Sequence, residues 1–318
     1  MNAAEAGPII QLVAVIIAVT ANQPRVLTVG EATSGAPLAL PSGPLDPAGD
    51  RTLERALRSW VRRQSGLQLG YVEQLYTFGD AARRDADGRR ILSVAYLALV
   101  HEQQLAPAAG WQDCYGFFPW EDWRAGRPPM LESATAALRA RTRAAGANLL
   151  APELAERLEI AFGLGEAGWD PERSLERYEL LYEAGAVAEA ALDRGLVPDT
   201  GPAATLGGPG MAQDHRRILA TALSRLRGKI KYRPVVFELL PERFTLSQLQ
   251  QVVEALAGVR LHKQNFRRLV EQGGLVTSTG DYDYGTGGRP AKLFRFRRRV
   301  LRERAAPGLR VTPATGGA

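Results

Sequence analysis

The side chains best suited to chemistry lie in the last third of the 318-residue chain. From Leu261 to Gln272 the helical period puts Leu261, Phe266, Leu269 and Val270 on one face. It leaves His262, Lys263, Gln264, Asn265, Arg267 and Arg268 on the other. Asn and Gln can pair bidentately with an adenine edge, and Arg or Lys with a guanine edge. That combination on one helix face is equipment for reading base edges in a major groove. Thr245 and Ser247 open the preceding helix, where backbone N–H groups and hydroxyls hold phosphate. Arg289 and Lys292 border a glycine-rich loop and suit phosphate contact. Upstream, Arg225, Arg227, Lys229 and Lys231 alternate, so an extended backbone would present them as one basic stripe.

A second set of residues suits a nucleotide. Trp60, Phe78, Arg83, Arg84, Tyr96, Phe117, Phe118 and Trp120 combine stacking surfaces with guanidiniums, as dinucleotide pockets do. Six of the chain's 23 aromatics crowd into Trp111–Trp123, which also holds Tyr115. Aromatics at such density more often serve as core, or as a dimer interface. His101, His215 and His262 are too scattered for a metal site. One cysteine, Cys114, excludes an internal disulfide and a Cys-based zinc cluster, which fits a cytoplasmic protein.

The elements that must position these groups fall into two blocks of opposite charge. From Asp214 onward there are 21 Lys/Arg against 8 Asp/Glu, net +13, whereas the first 213 residues carry net −7. A basic module facing a polyanion, beside a mildly acidic domain, accounts for the split. In the acidic block, Pro8–Ala21 is apolar but shorter than the roughly 20 residues of a membrane span. It lacks the positive flank of a signal peptide, and its β-branched residues predict a buried strand. Further strands are expected at Val26–Val29, Val72–Phe78 and Ile91–Val100, with a helix over Leu53–Gln64. Helices follow at Leu131–Ala145, Ala151–Phe162 and Pro171–Leu192, then a Gly/Pro-rich linker. After it come helices at His215–Gly228, Thr245–Leu256 and Leu261–Gln272. Strands at Leu275–Thr279 and Lys292–Phe296 then flank the loop Gly280–Pro290. Three helices and a two-stranded hairpin, in that order, describe a winged helix-turn-helix.

The segment Ala39–Leu67 resembles a Nudix box. Leu40-Pro41-Ser42-Gly43 matches its turn and Ser65-Gly66-Leu67 its end. Counting back from Gly66, the family's Glu-Glu pair falls on Arg63 and Gln64, and its Arg-Glu pair on Ser59 and Trp60. Shifting by one residue still places no glutamate there. Nudix hydrolysis needs hard oxygen ligands for a divalent metal, so the resemblance implies a domain without catalysis. Together with YRPVVFELLPERFTLSQLQQV and the GGRPAKLFRF wing, the chain is similar to the Nudix-related transcriptional regulators of the NrtR group. Within that group it most resembles repressors of NAD biosynthesis.

The resemblance implies an α+β chain. Residues 1–195 would be a degenerate Nudix-like α/β/α sandwich sensing nucleotides, with a helical insert over about 131–195. A linker at 196–213, a winged helix at 214–304 and a flexible tail at 305–318 would follow. It implies a homodimer on a palindromic operator in double-stranded DNA, with NAD and ATP as effectors and neither a catalytic cofactor nor a membrane involved. The competing readings are a metal-dependent Nudix pyrophosphatase acting on NAD or ADP-ribose, and a winged helix used only for protein contacts.

Overall fold

A computed structural model describes residues 7–30, 37–80, 83–85, 87–144, 151–195, 208–285 and 290–309; at 137, 141–144, 151 and 152 only the backbone is described. The first strand is the expected one. β1 (Ile9–Thr20) is buried through its middle, and its alternating side chains feed two cores. It turns at Ala21-Asn22, both at positive φ (50° and 63°), into β2 (Gln23–Val29). Two left-handed residues make the tight hairpin turn that matches strand twist, so the reversal precedes Pro24.

β3 (Ser42–Pro44) leads to α1 (Leu53–Ser65). Thr52 caps its N-terminus by accepting from Arg55 N, and Gly66 closes it at φ 78°. β4 (Tyr71–Phe78), β5 (Ile91–Leu99) and β6 (Ala109–Asp113) complete a sheet ordered β4-β5-β1-β2-β6, with β3 on β1. Only β1 and β5 run parallel. Leu12, Ala14, Ile16 and Ala18 face α1, packing on Ala56, Leu57 and Val61. Val13, Val15 and Ile17 face the other way.

That other face is covered by helices. The aromatic segment forms α2 (Cys114–Phe117), followed by α3 (Met130–Ala144) and α4 (Ala151–Phe162). The expected single helix over Pro171–Leu192 is divided. A 3-10 turn (Pro171–Arg173) precedes α5 (Ser174–Glu183), and Gly185 at φ 63° separates α6 (Ala188–Leu192).

α7 (His215–Ile230) starts the C-terminal module and runs two residues beyond the expected end. After a 3-10 turn (Val235–Leu239) and β7 (Phe244–Thr245) come α8 (Leu246–Ala257) and α9 (Lys263–Gln272). β8 (Val276–Asp283) and β9 (Ala291–Phe296) pair with each other and with β7. α10 (Val300–Glu303) follows.

The two modules share a core: one apolar cluster runs from Val13 and Val15 through Leu219 and Leu223 to Leu249, Val253 and Phe266. Two expectations change. The linker is described only from 208, and there it is packed. Met211 is 1% exposed and Ala212 N donates to Leu38 O. The tail is not loose at its start, since Leu309 is buried with its N–H on Ile230 O. The described helices include none long and apolar enough to cross a membrane.

Candidate functional site

α9 is built as the sequence predicts. Phe266 and Val270 are buried, while His262, Lys263, Gln264, Asn265, Arg267 and Arg268 are exposed. Its entry is held by α8: Glu254 Oε1 accepts from Leu261 N at 2.9 Å, and Gln250 donates to Leu261 O at 3.0 Å. Gly258, at φ 69°, makes the turn between the two helices. A six-residue polar face on a fixed helix can enter a groove without rearrangement. Ser247 is exposed near it, and Lys292 is exposed on the wing. Arg289 lies outside the described residues. Sequence reading passed over Tyr282 and Tyr284, 49% and 77% exposed on the wing. Exposed tyrosines on a loop edge were the available signal.

Thr245 is not a free phosphate ligand. It is 5% exposed and its hydroxyl accepts from Gln248 N, while the Gln248 side chain accepts from Thr245 N, a reciprocal capping box.

The basic stripe is also corrected. Because α7 stays helical to Ile230, successive residues turn by 100° rather than alternate. Arg225 is exposed, but Arg227 points inward and is 4% exposed. Lys229 is paired with Glu73 and Lys231 with Glu172.

Arg227 belongs to a buried ionic cluster. Glu121, 0% exposed, takes Arg177 in a two-pronged pair (2.5 and 2.9 Å) and Arg227 on its second oxygen. Burial alone would raise the Glu121 carboxyl; the two guanidiniums hold it below the usual carboxylate range. Arg227 Nε also donates to Leu256 O (3.0 Å), and Tyr115 Oη to Ala255 O (2.6 Å). These are the orphan carbonyls at the C-terminus of α8. Trp123 N donates to Gly258 O at 2.7 Å, and a Cβ on Gly258 would stand 2.3 Å from Glu121 O. The aromatic segment is thus joined directly to the turn before α9. Glu121 and Arg177 went unnoticed in the sequence; the only signal was that Glu121 lies inside an aromatic run, beside Asp122.

The expected nucleotide residues are not gathered in one place. Phe117, Phe118 and Trp120 are at most 2% exposed and belong to the core. The Arg216 guanidinium lies over Phe118, Trp120 and Tyr178 at 5.5–5.7 Å, so the protein's own cation fills the place a base would take. Tyr96, 5% exposed, packs beneath α1. Phe78 is half-buried at the end of β4. Only Arg83 and Arg84 share a cleft, about 180 Å³, with Gln213, Asp214 and Arg217. Arg83 is buried there, 2.9 Å from Asp214.

Trp60 is in the Nudix-like loop and helix. Its ring lies on Gly43, where an added Cβ would come within 2.1 Å, and its Nε1 donates to Pro44 O at 2.9 Å. Arg63 sits 4.0 Å over the same ring. The Gln64 side chain clasps the turn from both sides, accepting from Ser42 N (3.0 Å) and donating to Ser42 O (2.9 Å). Among the described residues no group of three or more His, Cys, Asp or Glu side chains is placed to hold a metal ion.

A Nudix-like α/β domain carrying a C-terminal winged helix-turn-helix is therefore the class this fold defines. Residues 236–296 match the NrtR DNA-binding winged helix domain, which bears out the resemblance to the NrtR group over that segment. The chain is 40% identical over 86 residues to the ADPR responsive transcriptional repressor NtrR of Acinetobacter baylyi. That match covers 27% of this chain and about a third (34%) of the relative's length. The whole fold is similar to Shewanella oneidensis NrtR complexed with a 27mer DNA. The TM-score is 0.56 at 22% identity, over 95% of this chain and 99% of that one. A MutT/nudix family protein from Enterococcus faecalis matches at TM-score 0.50 and 16% identity, over 92% and 87% of the two chains.

Proposed function

We propose that this protein is a DNA-binding transcriptional repressor controlled by a nucleotide held on a catalytically inactive Nudix-like domain. The observation that carries the reading is the exposed polar face of α9, His262–Arg268, backed by buried Phe266 and Val270. Residues of these types at the start of a recognition helix read base edges, while Arg225, Ser247, Arg289 and Lys292 contact phosphates. Two copies on a palindromic operator would set two such helices one or more turns apart. The relatives, a transcriptional repressor responsive to ADPR and an NrtR complexed with a 27mer DNA, support both halves of the proposal.

ADP-ribose is the first effector to test, then NAD and ATP, which the family resemblance implies. The genes controlled would be those of NAD biosynthesis. Hydrolysis is disfavoured by donor chemistry. Arg63 occupies one glutamate position and would repel Mg²⁺, and the Gln64 amide at the other is engaged with Ser42. This donor set does not fit a divalent metal.

The test is a titration of the promoter duplex of NAD synthesis genes with and without ADP-ribose, NAD and ATP. Nanomolar, salt-sensitive binding that shifts with one of these nucleotides is expected. Absence of DNA binding would favour a winged helix for protein contacts. Robust Mg²⁺-dependent turnover of NAD or ADP-ribose would favour the pyrophosphatase.

A further inference from the structure

One cleft in the described residues lies neither at the Nudix-like turn nor on the α9 face. It measures about 760 Å³ and opens between the ends of β4 and β5 on one side and the winged helix on the other. That volume falls in the range of pockets that enclose small organic ligands, and junctions between domains are where such pockets concentrate.

Its lining has three chemical characters. Arg295 and Arg298 supply exposed guanidiniums with no ion-pair partner among the described residues; Arg297 and Arg299, by contrast, share the carboxylate of Glu303. Phe237 and Phe296, stacked at 4.3 Å, supply an apolar wall, with Tyr71 opposite from the sheet. Glu238 and Glu242 supply acceptors from the winged-helix side, and His101 and Gln103 further polar groups from the sheet domain. Arg295 is exposed at the end of β9 and lines the cleft beside Phe296.

We propose that this cleft is a second nucleotide site, binding a nucleoside polyphosphate with its phosphates on Arg295 and Arg298. Guanidiniums present the fork geometry that phosphate oxygens match. The base lies against the Phe237–Phe296 wall, and Glu238 or Glu242 accepts from its amino or ribose donors. The same two carboxylates argue against duplex DNA as the occupant, because a uniformly charged backbone would meet them as well as the arginines. A nucleotide separates its charge from its donors and avoids that repulsion. A ligand here touches both the sheet domain and the winged helix. The proposal stands apart from the repressor reading, since it concerns binding alone.

The experiment uses the full chain and three probes, ATP, ADP-ribose and inorganic pyrophosphate, by calorimetry. Binding of a nucleotide is expected to weaken on the order of tenfold or more in the double variant Arg295→Gln and Arg298→Gln, with pyrophosphate competing. The Arg63→Ala variant, in the Nudix-like helix, should keep that affinity. Hydrogen exchange should show protection of the segments around Phe237 and Arg295–Arg299 on binding. Both arginines are exposed, so the thermal midpoint should not move and serves as the folding control. Unchanged nucleotide affinity in the double variant would overturn the proposal. So would failure of every probe to bind the wild type. Loss of duplex affinity in the double variant with nucleotide affinity intact would assign the arginines to DNA and overturn it too.

Discussion

The backbone N–H of Leu40 donates to Nδ1 of His215 at 3.0 Å in a buried contact. Leu40 begins the Nudix-like turn, and His215 is the first residue of α7, the helix that enters the winged helix. The same turn is held from its other side by Gln64. A displacement of the turn would therefore be felt at the start of α7, through this hydrogen bond and through Ala212 N on Leu38 O.

His215 should give the fold a distinct acid sensitivity. Burial, with Arg83 nearby, pushes its imidazole down to about 3, from an ordinary value near 6.5. The unfolded chain then binds a proton between those values that the folded chain does not. Stability from this group is present above about pH 6.5 and falls as pH falls, by about 1.4 kcal/mol per unit. Urea melts of wild type and His215→Asn at pH 7 and pH 5 check this. The gap between the two proteins should narrow at the lower pH, and parallel curves would refute it.

The two arginine groups should separate cleanly. Arg267→Ala and Asn265→Ala remove exposed side chains of α9 and should weaken operator binding, by about 1–3 kcal/mol each, without moving the melting point. Arg227→Ala uncovers Glu121 and the last carbonyls of α8. It should cost about 3–5 kcal/mol of stability. Chemical denaturation beside a DNA titration distinguishes them.

Thr245→Ala should cost about 1 kcal/mol of stability through loss of the capping box. The salt dependence of DNA affinity should stay the same, because no phosphate contact is removed. A reduced salt slope would restore Thr245 as a phosphate ligand.

Gly43→Ala should displace Trp60, since the added Cβ has no room against the indole. A loss of about 1–3 kcal/mol and a change in tryptophan emission are expected. Trp60→Ala in the same chain should recover much of that loss.

The strand Ile9–Thr20, helix α1 and the order of the winged helix were legible because local signals agree there: β-branched runs and helical period. The polar face of α9 was legible for the same reason, since Phe266 and Val270 fix which side is buried. Side-chain partners were not. Arg227, Lys229 and Lys231 read as a DNA-facing stripe, yet each meets a carboxylate 50 or more residues distant, Glu121, Glu73 or Glu172. Phe117, Phe118 and Trp120 read as a nucleotide pocket, yet Arg216 from α7 lies over two of their rings. Periodicity follows from the geometry of one element, so the sequence alone determined most of the elements and the buried faces of β1, α1 and α9. Which buried or charged group meets which depends on how distant elements cross, and only the tertiary structure decided that.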